Sequence, residues 1–461
     1  MKNEKDEDYE IDKQDKSKTF IKEVQIGDTW KDIECEYEIV NNCAIEKGGD
    51  YLAFINEGGI ISDYVKTIGC RAFSHAEIKS ITFPSSIEEI ESAGCSDCYS
   101  LESVTLNEGL KKIGRHAFVR TKIKFLRIPK SVEEIESCAF GEIELTVDPE
   151  NPKYEVRGNC LIEKETKKVI NGMKDSIIPD DIKIIGESAF LGSSIESITI
   201  PKSVEVIGDG AFTCSNLKEV KLNEGLKEIG WAAFDSTKLD RISIPSTVEK
   251  IGIESFDEIE FSVAEGNKKY EVRGNCIVEK EANKIILGGR DAKIPEDITQ
   301  IEDRAFAMRN LRSLTTPNGV KEIGDMTFTN CEKMKNLNLN EGLKKIGTFA
   351  FCALKIKKLI LPSTLESVGE GAFMDCTKLK SIKLNIRLCN IERWAFSSTK
   401  IRKIVIPDSV ERIGEFVFGD CDNLKIIYCV AKAKPDGWDD NWNSKYDDEG
   451  RYNVVWGYSG K

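Results

Sequence analysis

The chain has 461 residues, in which 66 Lys and Arg stand against 79 Asp and Glu, for a net charge of −13 with only two histidines, His75 and His116. That length exceeds one ordinary core, and 40% hydrophobic with 31% charged residues is the composition of a folded protein without the run of 18 apolar residues a transmembrane helix needs. The acidic balance, against which no Lys/Arg cluster stands out, argues against nucleic acid as a partner, and two histidines leave little room for proton-transfer or metal chemistry.

Residues 1–25 alternate charges and read as a flexible N-terminal tail. They lack the apolar core of a secretory signal, so the chain either stays inside the cell or has had a signal removed. From residue 26 to 430 the sequence repeats every 22 to 23 residues. An Ile-Gly-x-x-Ala-Phe phrase places an aromatic anchor at positions from Phe73 to Phe418, with Cys95 in the aromatic slot of one copy, and an aliphatic such as Ile68 or Ile413 stands five residues before each of the fourteen anchors. After the anchor comes Leu-x-x-Ile-x-Ile, as at Leu217, Val220 and Leu222, whose alternation predicts one half-buried strand per repeat. Pro84, Pro129, Pro201, Pro245, Pro362 and Pro407 end several of these strands, since proline donates no ladder hydrogen bond. A unit this short cannot bury its own apolar face, so successive coils must stack, and fourteen coils at one strand spacing extend roughly 65 to 70 Å. Glycine fills the slot after the aliphatic in ten copies, but Glu91, Glu136, Glu302 and Glu392 fill it in the others, which predicts a close-packed backbone and not a forced left-handed one.

Three related segments interrupt the coils near residues 37–60, 143–178 and 259–294. They carry Tyr37 to Cys43, Tyr154 to Cys160 and Tyr270 to Cys276, and their Arg-Gly-Asn or Asn-Asn centres predict β-hairpin insertions that divide the solenoid into three modules. Residues 431–461 hold Trp438, Trp442, Tyr446, Tyr452, Trp456 and Tyr458 and read as a cap over the last exposed coil.

Cys98, Cys331, Cys376 and Cys421 lie three residues after an anchor and Cys214 lies two after, a pattern that predicts a ladder of small buried thiols without disulfides. Cys95-Ser-Asp-Cys98 is a weak metal motif, His75 and His116 read as solvated variants of the repeat, and no catalytic, cofactor or metal site is expected. The strand face is the informative surface. The residues flanking each middle aliphatic point outward, and they include six cations and one carboxylate on a chain of opposite sign. The partner-binding candidates are Phe125, Arg127, Lys221, Arg241, Lys358, Ile360, Lys383, Lys403, Val405, Ile426 and Tyr428, concentrated from Lys358 to Tyr428.

The phrase Leu-x-x-Ile-x-Ile-Pro-x-Ser-Val-x-x-Ile-Gly-x-x-Ala-Phe, read at Ile195 to Phe212, resembles the BspA-like class of leucine-rich repeats over residues 37 to 430. The resemblance implies a β-rich leucine-rich-repeat solenoid with a right-handed coil, and an adhesin-like interaction protein without catalytic residues, often on bacterial surfaces. The expected function is therefore to bind a protein partner, such as a matrix protein or another cell's surface protein, along the exposed strand face. The alternative is a glycan-binding surface module using the terminal aromatics, and the least favoured reading is a parallel β-helix polysaccharide-cleaving enzyme. For location, the resemblance favours the cell surface or secretion, whereas a native Met1 favours the cytoplasm, where fifteen thiols stay reduced.

Overall fold

The computed structural model describes residues 19–26, 29–40, 43–46, 51–55, 60–445 and 450–460. Contacts divide the chain into two compact units, Met1–Ile195 and Glu196–Lys461. Among the described residues there is no α-helix, and each unit is a run of β-solenoid coils. Every coil contributes a short strand ending on the aliphatic before the anchor. Thr67–Ile68, Glu89–Ile90, Lys112–Ile113 and Glu134–Ile135 pair in parallel, in register, in the N-terminal unit. Glu322–Ile323 through Arg412–Ile413 do the same in the C-terminal unit. A second, longer strand follows the anchor, and it too pairs in parallel with its neighbour, Ser197–Thr199 with Glu219–Lys221 for example.

The anchors form the core because identical register puts each ring over the next. In the C-terminal unit Phe306, Phe328, Phe351, Phe373, Phe396 and Phe418 stack with centroids 5.1 to 6.0 Å apart and planes within 13°, the separation at which offset aromatic pairs attract. In the N-terminal unit the Cys95 coil has no ring to offer, and Phe73 meets Phe83 edge-on at 6.2 Å instead.

The corner of each coil is set by a residue two before the anchor. All fourteen such residues, from Arg71 to Phe416, have φ between +49° and +60°, although only Gly210 and Gly371 among them are glycine. Each left-handed residue costs about 1–2 kcal/mol. The conformation turns its N–H toward the next coil, as in Ala93 to the Arg115 carbonyl at 2.7 Å and Met326 to Thr348 at 2.7 Å, and the bond so made offsets the strain. His116 occupies this corner and His75 a second left-handed position two residues after its anchor. Both histidines are therefore backbone corners of the repeat.

The glycine slot two residues earlier behaves as expected. Gly114 has ordinary φ, and a Cβ there would lie 2.6 Å from the Glu91 backbone of the preceding coil. The glutamates reach the same end differently: the Glu91 and Glu136 carboxylates each accept the following N–H of the coil before, Cys70 and Arg115, at 2.9 Å. After Gly230, Gly324 and Gly347 an aspartate of the earlier coil caps the following N–H instead, as Asp209 does for Trp231 at 2.7 Å.

Coils also alternate in kind. After the long strand one coil carries proline and the next asparagine, and the Asn side chain donates back to the proline coil: Asn107 to the Pro84 and Ile87 carbonyls at 2.8 and 3.1 Å, Asn267 to Pro245 and Val248 at 2.9 and 3.1 Å. The structural period is thus two repeats.

The insertions differ from the expected hairpins in having three strands. Tyr154–Arg157, Cys160–Glu163 and Lys168–Gly172 pair antiparallel in sequence, and Lys168–Gly172 then pairs in parallel with Ile184–Ile185, so it also serves as the short strand of a coil. Tyr270 to Gly288 repeats the arrangement. The turns are as expected, with Gly158 and Asn159 both at φ +56°, the geometry of a type I′ turn. Glu144–Val147, inside the expected 143–178 insertion, instead extends the long-strand ladder beside Phe125–Ile128. The expected flexible tail is also corrected: Thr19–Ile26 is a strand paired antiparallel with Thr29–Glu36, while residues 1–18 lie outside the described residues.

Candidate interaction surface

The long strands expose their flanking residues in coil after coil. Ser80–Thr82, Ser103–Thr105, Lys358–Ile360 and Ser381–Lys383 all show the exposed-buried-exposed pattern. The apolar middle residue, such as Leu359, enters the core and its neighbours cannot. Two acidic positions, Glu144 and Glu260, belong to this face and were not among the flanking residues read from sequence, because their strands follow a shortened coil that hid the repeat.

The structure does not bring all the candidates together. Phe125 and Arg127 lie in the N-terminal unit, where Phe125 is exposed. The Arg127 guanidinium is already engaged, with Glu108 at 3.1 Å and with Asp148. Lys221 and Arg241 are in the C-terminal unit on its early coils. The remaining seven fall on four consecutive long strands. Lys358 is opposite Ser381 and Ile360 opposite Lys383, while Lys403 is opposite Ile426 and Val405 opposite Tyr428. Ile360 is 70% exposed and Val405 41%, an uncommon outlay of apolar surface on a sheet face. Among the described residues Lys358, Lys383 and Lys403 make no ion pair.

The short-strand face is the contrast. There opposite charges alternate from coil to coil, Lys111 with Glu88 at 2.6 Å, Lys227 with Glu205 at 2.6 Å, Lys344 with Glu366 at 3.3 Å. That face neutralises itself. The expectation that no basic cluster stands out is also overturned. Around the long strands of the last six coils, from Asn310 to Tyr428, thirteen Lys or Arg stand against two exposed carboxylates, Glu332 and Asp422, of which Asp422 pairs with Lys400 at 3.4 Å. The cations are 22 or 23 residues apart in sequence, so a linear reading disperses what the coil gathers.

A family model described as the BspA type leucine rich repeat region matches in six copies, over residues 58–146, 162–261 and 292–429. The chain belongs to the BspA-type leucine-rich repeat family. Among solved structures it is similar to a leucine rich cell surface protein from Faecalibacterium prausnitzii, at 23% identity over 88% of this chain and 94% of that one with a TM-score of 0.43. The pneumococcal vaccine antigen PcpA gives 17% identity, coverage of 94% and 98%, and a TM-score of 0.48. A leucine-rich repeat protein from Bacteroides ovatus gives 20% identity, coverage of 86% and 92%, and a TM-score of 0.31. No curated protein matches the chain.

Within the BspA-type repeat the thiol ladder has a definite chemistry. Cys98, Cys331, Cys376 and Cys421 are buried, and each donates its S–H to the anchor carbonyl of the coil before, Phe73, Phe306, Phe351 and Phe396, at 2.8 to 3.3 Å. Burial pushes the Cys331 thiol up to about 12 and Cys98 and Cys421 to about 11, so none is a ready nucleophile. Cys214 corrects the expected ladder: it is exposed, and Ser215 takes the buried place. Among the described residues no three His, Cys, Asp or Glu side chains form a metal-binding group.

The terminal aromatics are an atypical last coil. Trp438 pairs with Ile413 on the short-strand ladder and donates its indole N–H to the Val410 carbonyl at 3.0 Å. Val454–Trp456 extends the long-strand ladder beside Ile427–Cys429. Trp438, Trp442 and Tyr452 are buried against the final core. The Tyr452 hydroxyl accepts the Cys421 N–H at 3.1 Å. Rings packed this way have no face left for a sugar, and Tyr446 lies outside the described residues.

Proposed function

We infer that this chain is a non-catalytic interaction protein that binds a protein partner along the exposed strand face of its C-terminal unit. The observation that carries the reading is the cluster of Lys358, Ile360, Lys383, Lys403, Val405, Ile426 and Tyr428 on adjacent strands, with unpaired cations interleaved with exposed apolar side chains. Apolar area supplies affinity and the cations supply orientation and rate of encounter with an acidic patch. Membership of the BspA-type family supports an adhesin-like role. The partner's expected character is a matrix or cell-surface protein with an acidic surface. The glycan reading through the terminal aromatics loses its support with Trp438 and Trp442 buried. The test is replacement of Lys358, Lys383 and Lys403 by Glu. Binding to the partner weakens at least tenfold if the face is right, and unchanged affinity at unchanged melting temperature would remove it.

A further inference from the structure

One residue before each long strand, the last six coils carry a second ordered feature. Arg312, Lys335, Lys357, Lys380, Arg402 and Lys425 are all exposed. Backbone bonds tie members of the column together, Lys335 N–H to the Arg312 carbonyl at 3.0 Å, Lys380 to Lys357 at 3.0 Å and Lys425 to Arg402 at 3.1 Å. Within each bonded pair the cations therefore rise by one strand spacing, about 4.8 Å, and the three pairs belong to separate sheets. None of the six makes an ion pair among the described residues. The same position in the early coils of this unit is arranged otherwise: Glu196 pairs with Lys218 at 2.8 Å and Asp240 with Arg290 at 2.7 Å. Alternating signs would keep the late coils equally soluble. Instead an unbroken line of like charges faces solvent, repelling itself until a negative ligand arrives.

We propose that this column binds a linear sulfated polysaccharide lying across the strands of the C-terminal unit. One cation per coil over six coils, paired by backbone bonds within three strand pairs, matches a polymer whose charge recurs more than a partner with one acidic spot. The facing N–H and C=O groups of each strand pair bond one another, so an acidic peptide crossing the paired strands would find charges but few partners for its own backbone amides. A sugar chain brings sulfates and hydroxyls only. Exposed Ser313, Asn336 and Ser381, each adjoining a cation of the column, can bond those hydroxyls. Single-stranded nucleic acid wants aromatic platforms for its bases, and the column has none along its length.

The test is calorimetric titration of the full chain with size-fractionated heparin oligosaccharides, and with desulfated heparin, poly-glutamate and a single-stranded oligonucleotide as comparators. The expected result is binding of heparin, at least about tenfold weaker binding of each comparator, and affinity that falls log-linearly with salt with a slope of roughly −3 or steeper, as counterions are released. The variant Lys335→Gln/Lys357→Gln/Lys380→Gln/Arg402→Gln should lose at least about thirtyfold and flatten that slope. If that variant melts early, Lys357→Gln/Lys380→Gln reads a smaller loss in the same direction. Failure of the wild-type chain to bind heparin, unchanged binding by both variants, or equally tight binding of poly-glutamate or the oligonucleotide would each overturn the proposal. None of these variants touches the residues of the inferred protein-binding face, so either reading can fail alone.

Discussion

Asp257 follows the Phe256 anchor and sits half-buried beside Asp235. Burial, with the Asp235 carboxylate adding repulsion and Arg309 opposing, raises its pKa from the ordinary carboxylate range to about 6. A raised folded-state value means that the folded chain holds this proton more tightly than the unfolded one. The stabilisation is full below the unfolded value and is lost as pH climbs through about 6. Asp257→Asn should therefore stabilise the C-terminal unit by about 1 kcal/mol at pH 8, discounted for the partial exposure of the group. At pH 4 it should change little, and denaturant melts at the two pH values read the difference. The thiols make a second residue-scale prediction. A water-soluble thiol reagent should modify Cys214 on the native chain, whereas Cys331, Cys376 and Cys421 should react only after denaturation, since burial both shields them and raises their pKa. Peptide mapping after a brief exposure checks this, and early labelling of Cys376 would mean that the coil corners open.

At the scale of the element, much of the coil was legible. The Leu-x-x-Ile-x-Ile alternation located the long strand because burial depends on period alone, and Gly158-Asn159 announced its own turn; the short strand ending on the aliphatic before the anchor was not expected, since two residues carry no alternation to read. What was not legible needed contacts between coils. The left-handed corner two before the anchor carries Arg, Met, Trp or Glu as readily as Gly, so its identity encodes nothing and only the N–H directed to the next coil reveals it. The alternation of Pro84 and Asn107, or Pro245 and Asn267, stood in the sequence, and its purpose appears only when the Asn side chain is seen bonding the earlier coil. The insertions gave up two strands to sequence and kept the third, because Lys168–Gly172 is antiparallel on one side and parallel on the other. Asn267 tests the coil-pair element. It is buried, donates to the Pro245 and Val248 carbonyls, and accepts the Lys269 and Tyr270 N–H groups at 2.9 and 2.7 Å. Asn267→Ala leaves those groups unsatisfied and should cost about 2–4 kcal/mol, read as a lowered denaturation midpoint. Asn318→Ala, at an exposed turn, should change it by less than about 0.5 kcal/mol.

For the whole molecule, function follows from what stacking does to a repeated sequence. A residue that recurs every 22 or 23 positions becomes a column, and a drift in composition too gradual to notice along the chain becomes a patch. The seven clustered candidates were legible this way because they are strand-flanking positions, whereas Glu144, Glu260 and the column from Arg312 to Lys425 were missed for being one coil type or one residue out of frame. The short-strand face pairs its charges, whereas on the late long-strand face most cations make no ion pair among the described residues, Lys400 with Asp422 being an exception. Recognition is therefore proposed at one face of the C-terminal unit.

The most direct measurement compares two charge-matched variants with the wild-type chain for binding to a panel of immobilised matrix proteins and cell-surface ectodomains. One variant carries Lys358→Glu, Lys383→Glu and Lys403→Glu on the long-strand face; the other carries Lys111→Glu, Lys227→Glu and Lys344→Glu on the short-strand face. The account predicts that at least one panel protein binds the wild-type chain, that the first variant loses that binding by at least tenfold, and that the second retains it. Equal loss in both variants would reduce the effect to net charge, and no loss in the first, or no binding by the wild-type chain, would contradict the assignment of the strand face.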